Sequence, residues 1–127
     1  MTLLLDTHIW LWLNLEPARL PERFAAAMED ANNAIAVSVA SVWELSIKQK
    51  LGKITVGGPF QQFLESALVD IQLLDIRLSH VERGHDLPPI HRDPFDRIIV
   101  AQALAEGFTL LTADHALEAY GVQTLPA

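Results

Sequence analysis

Short apolar runs recur along the chain, and longer segments with helical spacing separate them. The runs are continuously apolar rather than alternating, which is typical of strands buried on both faces of a parallel sheet. Strands that alternate with helices in this way predict an α/β fold around a central parallel sheet. The predicted strands cover residues 2–5, 34–37, 71–76, 108–111 and 122–125.

Helix-start and helix-stop residues delimit the segments between these strands. Asp93-Pro94 predicts an N-cap followed by a proline in the first helical position, and Gly107 predicts the end of that helix. Trp43, Ile47 and Leu51 recur at i, i+4 spacing, so we predict that they form a stripe in the core. The predicted helices cover residues 7–15, 21–30, 38–51, 60–68, 78–84, 93–105 and 114–119.

Composition narrows the class of protein. A chain of 127 residues that is 50% hydrophobic suits one compact domain, which we expect to span residues 1–127. The chain has no apolar stretch long enough to span a bilayer and no basic start typical of a signal peptide, so we expect a cytoplasmic protein without membrane attachment. The absence of cysteine excludes disulfides, thiolate metal sites and thiol nucleophiles.

Charge narrows the class of partner. The formal net charge of −7 argues against tight, non-specific binding of nucleic acid through bulk charge. It is compatible with a nucleic-acid enzyme whose acidic pocket is neutralised by metal, and it favours a basic protein partner.

Four acidic residues lie within or at the ends of apolar runs. Because such runs form core strands and core helix faces, their ends are expected to converge at the carboxyl edge of the sheet, where open α/β folds bind ligands. Carboxylates gathered there repel one another and resist desolvation, so a cation should hold them. The four residues are Asp6, Glu44, Asp96 and Asp114.

Each carboxylate also has a purely structural interpretation. Asp6 and Asp114 could cap the helices that follow them. Glu44 could form a solvated i, i+4 pair with Lys48. The charge of Asp96 could interact favourably with the positive N-terminal end of its helix. The four together are harder to explain in this way, and Glu44 lies beside Trp43 near an apolar stripe.

A site made only of oxygen ligands selects hard cations such as Mg²⁺, with Mn²⁺ as the alternative. A divalent cation at such a site binds phosphate oxygens, lowers the pKa of a bound water and stabilises the transition state of phosphodiester hydrolysis. The number of ions cannot be read from the sequence.

Four segments of this chain resemble the PIN-domain ribonucleases, and most of all the VapC-type toxins of bacterial toxin–antitoxin pairs. The segments are LLLDTHIWLW, SVASVWELSIK, HRDPFDRIIVAQA and LLTAD, and the likeness runs over nearly the whole chain. The resemblance implies a three-layer α/β/α sandwich with a central parallel sheet of about five strands. It also implies Mg²⁺-dependent endonucleolytic cleavage of RNA and inhibition by a cognate antitoxin.

By position, the four carboxylates match the acidic quartet of that family, and Thr7 and Thr112 match the small hydroxyl residues that flank it. We predict that Asp6 and Asp96 hold the metal directly, and that Glu44 and Asp114 act through water or orient the attacking water. Arg97 or Lys48 is predicted to stabilise the pentacoordinate phosphate. We also expect a homodimer, because one of the two tryptophans of the first helix should lie at a dimer or partner surface.

Other functions remain open at this point. An acidic binding module could capture an arginine or lysine from a basic partner without any catalysis. A haloacid-dehalogenase-like phosphatase would place a second aspartate two residues after Asp6, where this chain has His8. A nuclease acting on structured DNA is compatible with the chemistry, but the short chain leaves little room for an arch that grips a duplex. His91, beside Arg92, could contact an RNA phosphate, but we interpret it as a histidine of a surface loop.

Overall fold

A parallel sheet forms the centre of the molecule, as predicted. The computed structural model describes residues 1–126. The four strands in that range are β1 (Thr2–Leu5), β2 (Ala34–Ser38), β3 (Gln72–Leu74) and β4 (Thr109–Leu111). They lie in the order β3-β2-β1-β4, and every pair is parallel. The register places Leu5 beside Val37 on one side and beside Leu111 on the other.

Helices cover both faces of the sheet. Leu4 packs on one face with Ile99 and Val100, whereas Leu3 and Leu5 pack on the other face in a second core cluster. Alternate residues of β1 therefore point into different layers, which is the three-layer α/β/α arrangement. The helices are α1 (Thr7–Leu15), α2 (Glu22–Glu29), α3 (Val39–Lys50), α4 (Phe60–Ala67), α5 (Leu78–His85) and α6 (Pro94–Glu106), with 3-10 turns at Pro17–Arg19 and His115–Tyr120.

The predicted number of strands was approximate. Within residues 1–126, the segment 122–125 makes a single parallel bridge between Leu110 and Thr124 in place of a fifth strand. The amide of Leu110 donates to the carbonyl of Gln123 at 2.8 Å. Because β4 is only three residues long, it offers the segment little edge along which a ladder could extend.

The helix ends follow the predicted signals closely. Asp93 caps α6, since its Oδ1 accepts from the amide of Phe95 at 2.8 Å, and Pro94 occupies the first turn. Gly107 ends the helix in the left-handed region at a φ of 70°, a conformation that glycine adopts without strain. Ser38 caps α3 by accepting from the amide of Ala40 at 3.0 Å. These caps place the first turns of α3 and α6 at the carboxyl edge of the sheet.

The predicted core stripe on α3 was wrong. Trp43 and Leu51 are 62% and 64% exposed, and Ile47 is also exposed. The buried residues of α3 are instead Ala40, Ser41, Glu44 and Leu45. The i, i+4 spacing shows that three residues share a face of a helix, but it does not show which face turns inward.

No helix among residues 1–126 combines the length and the apolar character needed to cross a bilayer.

Candidate functional site

The carboxyl edge of the sheet brings the predicted acidic residues together. Asp6 directly follows β1, and Asp114 lies three residues beyond the end of β4. Glu44 projects from α3, which begins where β2 ends, and Asp96 lies in the first turn of α6. Asp6 and Asp114 also cap the helical turns that follow them, so the structural interpretation of these two residues holds alongside the functional one.

Asp6 is an almost completely buried carboxylate, with only 4% of its surface exposed. Its Oδ1 accepts a hydrogen bond from the amide of Ile9 at 2.9 Å. Burial raises its pKa above the usual value, and this effect outweighs the hydrogen bonds from Thr112 and Ile9, which lower it. The charge of Asp114 raises the pKa further. A buried acid in this condition ionises readily only when a cation is nearby.

Asp96 shows that the acidic groups influence one another. Its pKa is raised to about 6, mainly because burial disfavours the charged form. The charges of Asp93, Asp6 and Glu44 add to the increase, and His91 opposes it. The carboxylates of Asp6 and Glu44 therefore lie close enough to Asp96 to influence its charge.

Glu44 is buried, with 3% of its surface exposed, and only one of its two carboxylate oxygens has a hydrogen-bond partner among the described residues. Its Oε2 accepts from Nζ of Lys48 at 2.7 Å. Its Oε1 is buried and has no hydrogen-bond partner within residues 1–126. A buried oxygen without a donor is costly, and it is the kind of atom that a bound cation or its water would satisfy.

Asp114 lies against a residue that the sequence analysis did not place in the site. Nε2 of His91 is 3.1 Å from Oδ2 of Asp114 and 3.5 Å from Oδ2 of Asp96. His91 lies in a loop with a partly exposed side chain, as interpreted from the sequence, and the structure adds its proximity to both carboxylates. The available signal was its position two residues before the N-cap Asp93, whose amide donates to Nδ1 of His91 at 3.1 Å.

Thr7 and Thr112, the two predicted hydroxyl residues, form hydrogen bonds beside the acidic residues. Thr7 Oγ1 donates to Ser41 Oγ at 2.9 Å, which joins the start of α1 to the first turns of α3. Thr112 Oγ1 accepts from the amide of Asp114 at 3.0 Å, and the Thr112 side chain lowers the pKa of Asp6. Thr112 therefore links the two carboxylates that follow β1 and β4.

Arg97 does not suit the phosphate-stabilising role that was predicted for it. Its guanidinium donates to the carbonyls of Gly84, Pro88 and Leu87 at 3.0–3.2 Å. A longer contact of 3.4 Å reaches the carbonyl of His91. Because these bonds occupy a planar group with a fixed set of donors, Arg97 anchors the loop that carries His91.

The second predicted cation, Lys48, remains near the acidic groups. Its side chain is 32% exposed while its Nζ bonds Glu44, and it lies at the margin of two cavities. The larger cavity, about 590 Å³, is also lined by Trp12 and Arg19.

Of the two tryptophans of α1, Trp10 lies in the core. Trp12 lies under the guanidinium of Arg19, with 4.6 Å between the guanidinium carbon and the ring centroid.

The donor set suits a divalent cation. Carboxylate oxygens converge at one edge, two of the acids have raised pKa values, and Oε1 of Glu44 has no other partner in the described chain. Hard cations prefer such oxygen ligands. A bound cation would relieve both the repulsion and the cost of burying the charges.

Comparisons with known proteins show which family this chain resembles. A ribonuclease, VapC22 of Mycobacterium tuberculosis, is 31% identical over 120 residues, which cover 94% of this chain and 92% of that protein. The crystal structure of VapBC2 from Rickettsia felis, bound to a promoter DNA fragment, superposes with a TM-score of 0.78 at 20% identity and covers 98% of both chains.

A third comparison is with VapC20 of Mycobacterium tuberculosis, described as a toxin that cleaves the sarcin-ricin loop. It superposes with a TM-score of 0.67 at 13% identity, covering 98% of this chain and 99% of that one. The sequence model of the PIN domain matches residues 3–123. The chain therefore belongs to the PIN domain family.

Proposed function

We propose that this protein is a metal-dependent endoribonuclease that acts as the toxin of a toxin–antitoxin pair. The observation that carries the proposal is the convergence of Asp6, Glu44, Asp96 and Asp114 at the carboxyl edge of the sheet. The likeness to ribonuclease VapC22 over 94% of the chain supports the same activity. We propose Mg²⁺ as the ion, with Mn²⁺ as the alternative, because the ligand oxygens are hard donors.

Asp6 and Asp96 would hold the ion directly, with Glu44 and Asp114 completing the site directly or through water. The ion would neutralise phosphate charge and lower the pKa of a bound water. Carboxylates that are not occupied by the ion accept hydrogen bonds from the attacking water and orient it toward phosphorus. The ammonium of Lys48 lies close enough to Glu44 to stabilise negative charge at the same edge.

Incubation of the purified chain with RNA, in Mg²⁺ or in EDTA, tests the activity. We expect cleavage only with the ion, and we expect Asp6→Asn and Asp96→Asn to abolish it while leaving the far-UV circular dichroism unchanged. Full activity of the Asp6→Asn protein would remove the metal role of that residue. Absence of cleavage under every metal condition would favour a non-catalytic acidic module that captures a basic segment.

Two partners complete the proposal. The solved relatives include the VapBC2 complex, which supports a cognate antitoxin for this chain, and the acidic edge suits a basic segment of that partner. Co-purification with the product of a small neighbouring reading frame tests this partner. We also propose a homodimer, supported by the exposed Trp43 and Leu51, and light scattering that reports a monomer at micromolar concentration would refute it.

A further inference from the structure

His91 is held in a defined orientation by the loop that contains it. Its amide donates to the hydroxyl oxygen of Tyr120 at 2.8 Å, and its carbonyl accepts from Arg97 at 3.4 Å. Arg97 also donates to three other carbonyls of the same region, at Gly84, Leu87 and Pro88. The backbone of His91 is therefore attached to α6 and to the last 3-10 turn.

The hydrogen bonds of the ring determine which nitrogen carries the proton. The amide of Asp93 donates to Nδ1 of His91 at 3.1 Å, so Nδ1 must offer its lone pair. A neutral imidazole has one donor and one acceptor nitrogen, which places the hydrogen on Nε2. Nε2 forms its hydrogen bond with Oδ2 of Asp114 at 3.1 Å, and Oδ2 of Asp96 lies further away at 3.5 Å.

His91, Asp96 and Asp114 also have the spacing of a three-ligand metal site, since their donor atoms lie within 4.8 Å of one another. A histidine that binds metal through Nε2 needs its lone pair there, and it then donates from Nδ1 to an acceptor. Here Nδ1 faces the amide N–H of Asp93, which cannot accept. The distances alone would therefore suggest that His91 is a metal ligand. The hydrogen bond from the amide of Asp93 to Nδ1 excludes that role in this ring orientation.

We propose that His91 is a positioning residue whose Nε2–H holds the carboxylate of Asp114 in place for the cation, next to that of Asp96. This inference rests on the proposed metal-dependent function, because His91 would act on the side chains that bind the metal. Asp114 needs such support because 43% of its side chain is exposed, compared with 17% of the side chain of Asp96. Its Oδ1 is already used to cap the following turn, through the amide of Ala116.

Two substitutions separate the two nitrogens of the ring. His91→Asn keeps an acceptor close to the position of Nδ1 but removes the donor at Nε2. His91→Gln extends an amide to the position of Nε2 and restores a donor there. His115→Asn is the matched control, because His115 follows Asp114 in sequence and its ring faces Glu118 at 3.6 Å.

Titration calorimetry with Mg²⁺ is the first measurement, on proteins whose thermal unfolding shows that they are folded. We expect His91→Asn to weaken Mg²⁺ binding about tenfold, as for other residues that orient metal ligands. His91→Gln should recover most of this loss, and His115→Asn should bind like the parent. Equal losses in the Asn and Gln variants, or no loss in either, would overturn the proposal.

Ring nitrogen NMR of the ¹⁵N-labelled parent is the second measurement, and it needs no activity. We expect His91 to carry its hydrogen on Nε2 at pH 8, without Mg²⁺ and with it. A hydrogen on Nδ1 would remove the proposed donor and refute the proposal, and direct coordination of Nε2 when Mg²⁺ is added would refute it by making His91 a ligand. A parent that binds no Mg²⁺ but keeps the Nε2–H ring would refute the proposed metal dependence and leave the His91 contact established.

Discussion

Lys48 and Glu44 form a one-sided pair: Nζ lies 2.7 Å from Oε2, while Oε1 is buried with no partner in residues 1–126. The sequence showed only an i, i+4 pair, which on an exposed face contributes a few tenths of a kcal/mol. Because Glu44 is buried, the same pair has a larger role here, since Lys48 compensates a charge that water cannot reach.

Lys48→Met should therefore destabilise the protein by about 1–2 kcal/mol at neutral pH, less than a fully buried pair because Lys48 is partly exposed. Urea denaturation measures the change. Lys50→Met is the matched control on the same helix, where the exposed side chain predicts a change within about 0.5 kcal/mol. Equal stability of the two variants would show that Glu44 does not depend on Lys48.

Asp96 predicts an unusual dependence of stability on pH in the metal-free protein. Its pKa rises from 3.8 to about 6 on folding, so the folded state binds a proton that the unfolded state releases. Folding is then favoured by protonation of this group, and its contribution is lost as the pH rises from about 4 to about 6. The raised pKa of Asp6 acts in the same direction.

We expect Asp96→Asn to be more stable than the parent in EDTA at pH 7.5, and the advantage to shrink toward pH 4.5. Urea denaturation at both pH values measures it, with Asp86→Asn, an exposed acid, as the control. Mg²⁺ should stabilise the parent more than Asp96→Asn, because the variant lacks one ligand. A parent that is the more stable protein in EDTA at pH 7.5 would contradict the argument.

Arg97 is expected to be important for the structure of the loop rather than for charge at the phosphate. Arg97→Met should cost about 2 kcal/mol and should increase hydrogen exchange in residues 84–91, whose carbonyls it binds. Exchange measured by mass spectrometry maps the effect. Arg83→Met, at an exposed position of α5, is the control and should leave exchange in that loop unchanged.

Trp43 and Trp10 should differ sharply in their contribution to stability. Trp43 is 62% exposed and mainly contacts Phe95 edge to face at 5.3 Å, so Trp43→Ala should cost about 1 kcal/mol. Trp10 is fully buried and its Nε1 donates to the carbonyl of Ala67, so Trp10→Ala should cost about 3–5 kcal/mol. Chemical denaturation at protein concentrations low enough to favour the monomer measures both costs, and similar costs for the two variants would contradict the prediction.

Local sequence signals predicted the elements well, because they report on the backbone that contains them. The apolar side chains of Thr2–Leu5 could be buried only in a sheet that is covered on both faces. Asp93 and Pro94 marked the start of α6, and Gly107 marked its end. The carboxylates were predictable for the same reason, since parallel strands end at a common edge. The segment 122–125 was harder to predict, because its pairing depended on the short edge that β4 offers.

The sequence by itself determined the parallel sheet, the helix caps and the edge at which Asp6, Glu44, Asp96 and Asp114 meet, since each follows from local spacing and burial of apolar residues. Only the tertiary structure decided which face of α3 turns inward, that Arg97 anchors a loop, and that His91 donates to Asp114. Those outcomes depend on contacts between residues far apart in the chain, such as His91 with Tyr120 and Arg97 with Gly84. Such contacts form only after helices and sheet have packed, so no local pattern records them.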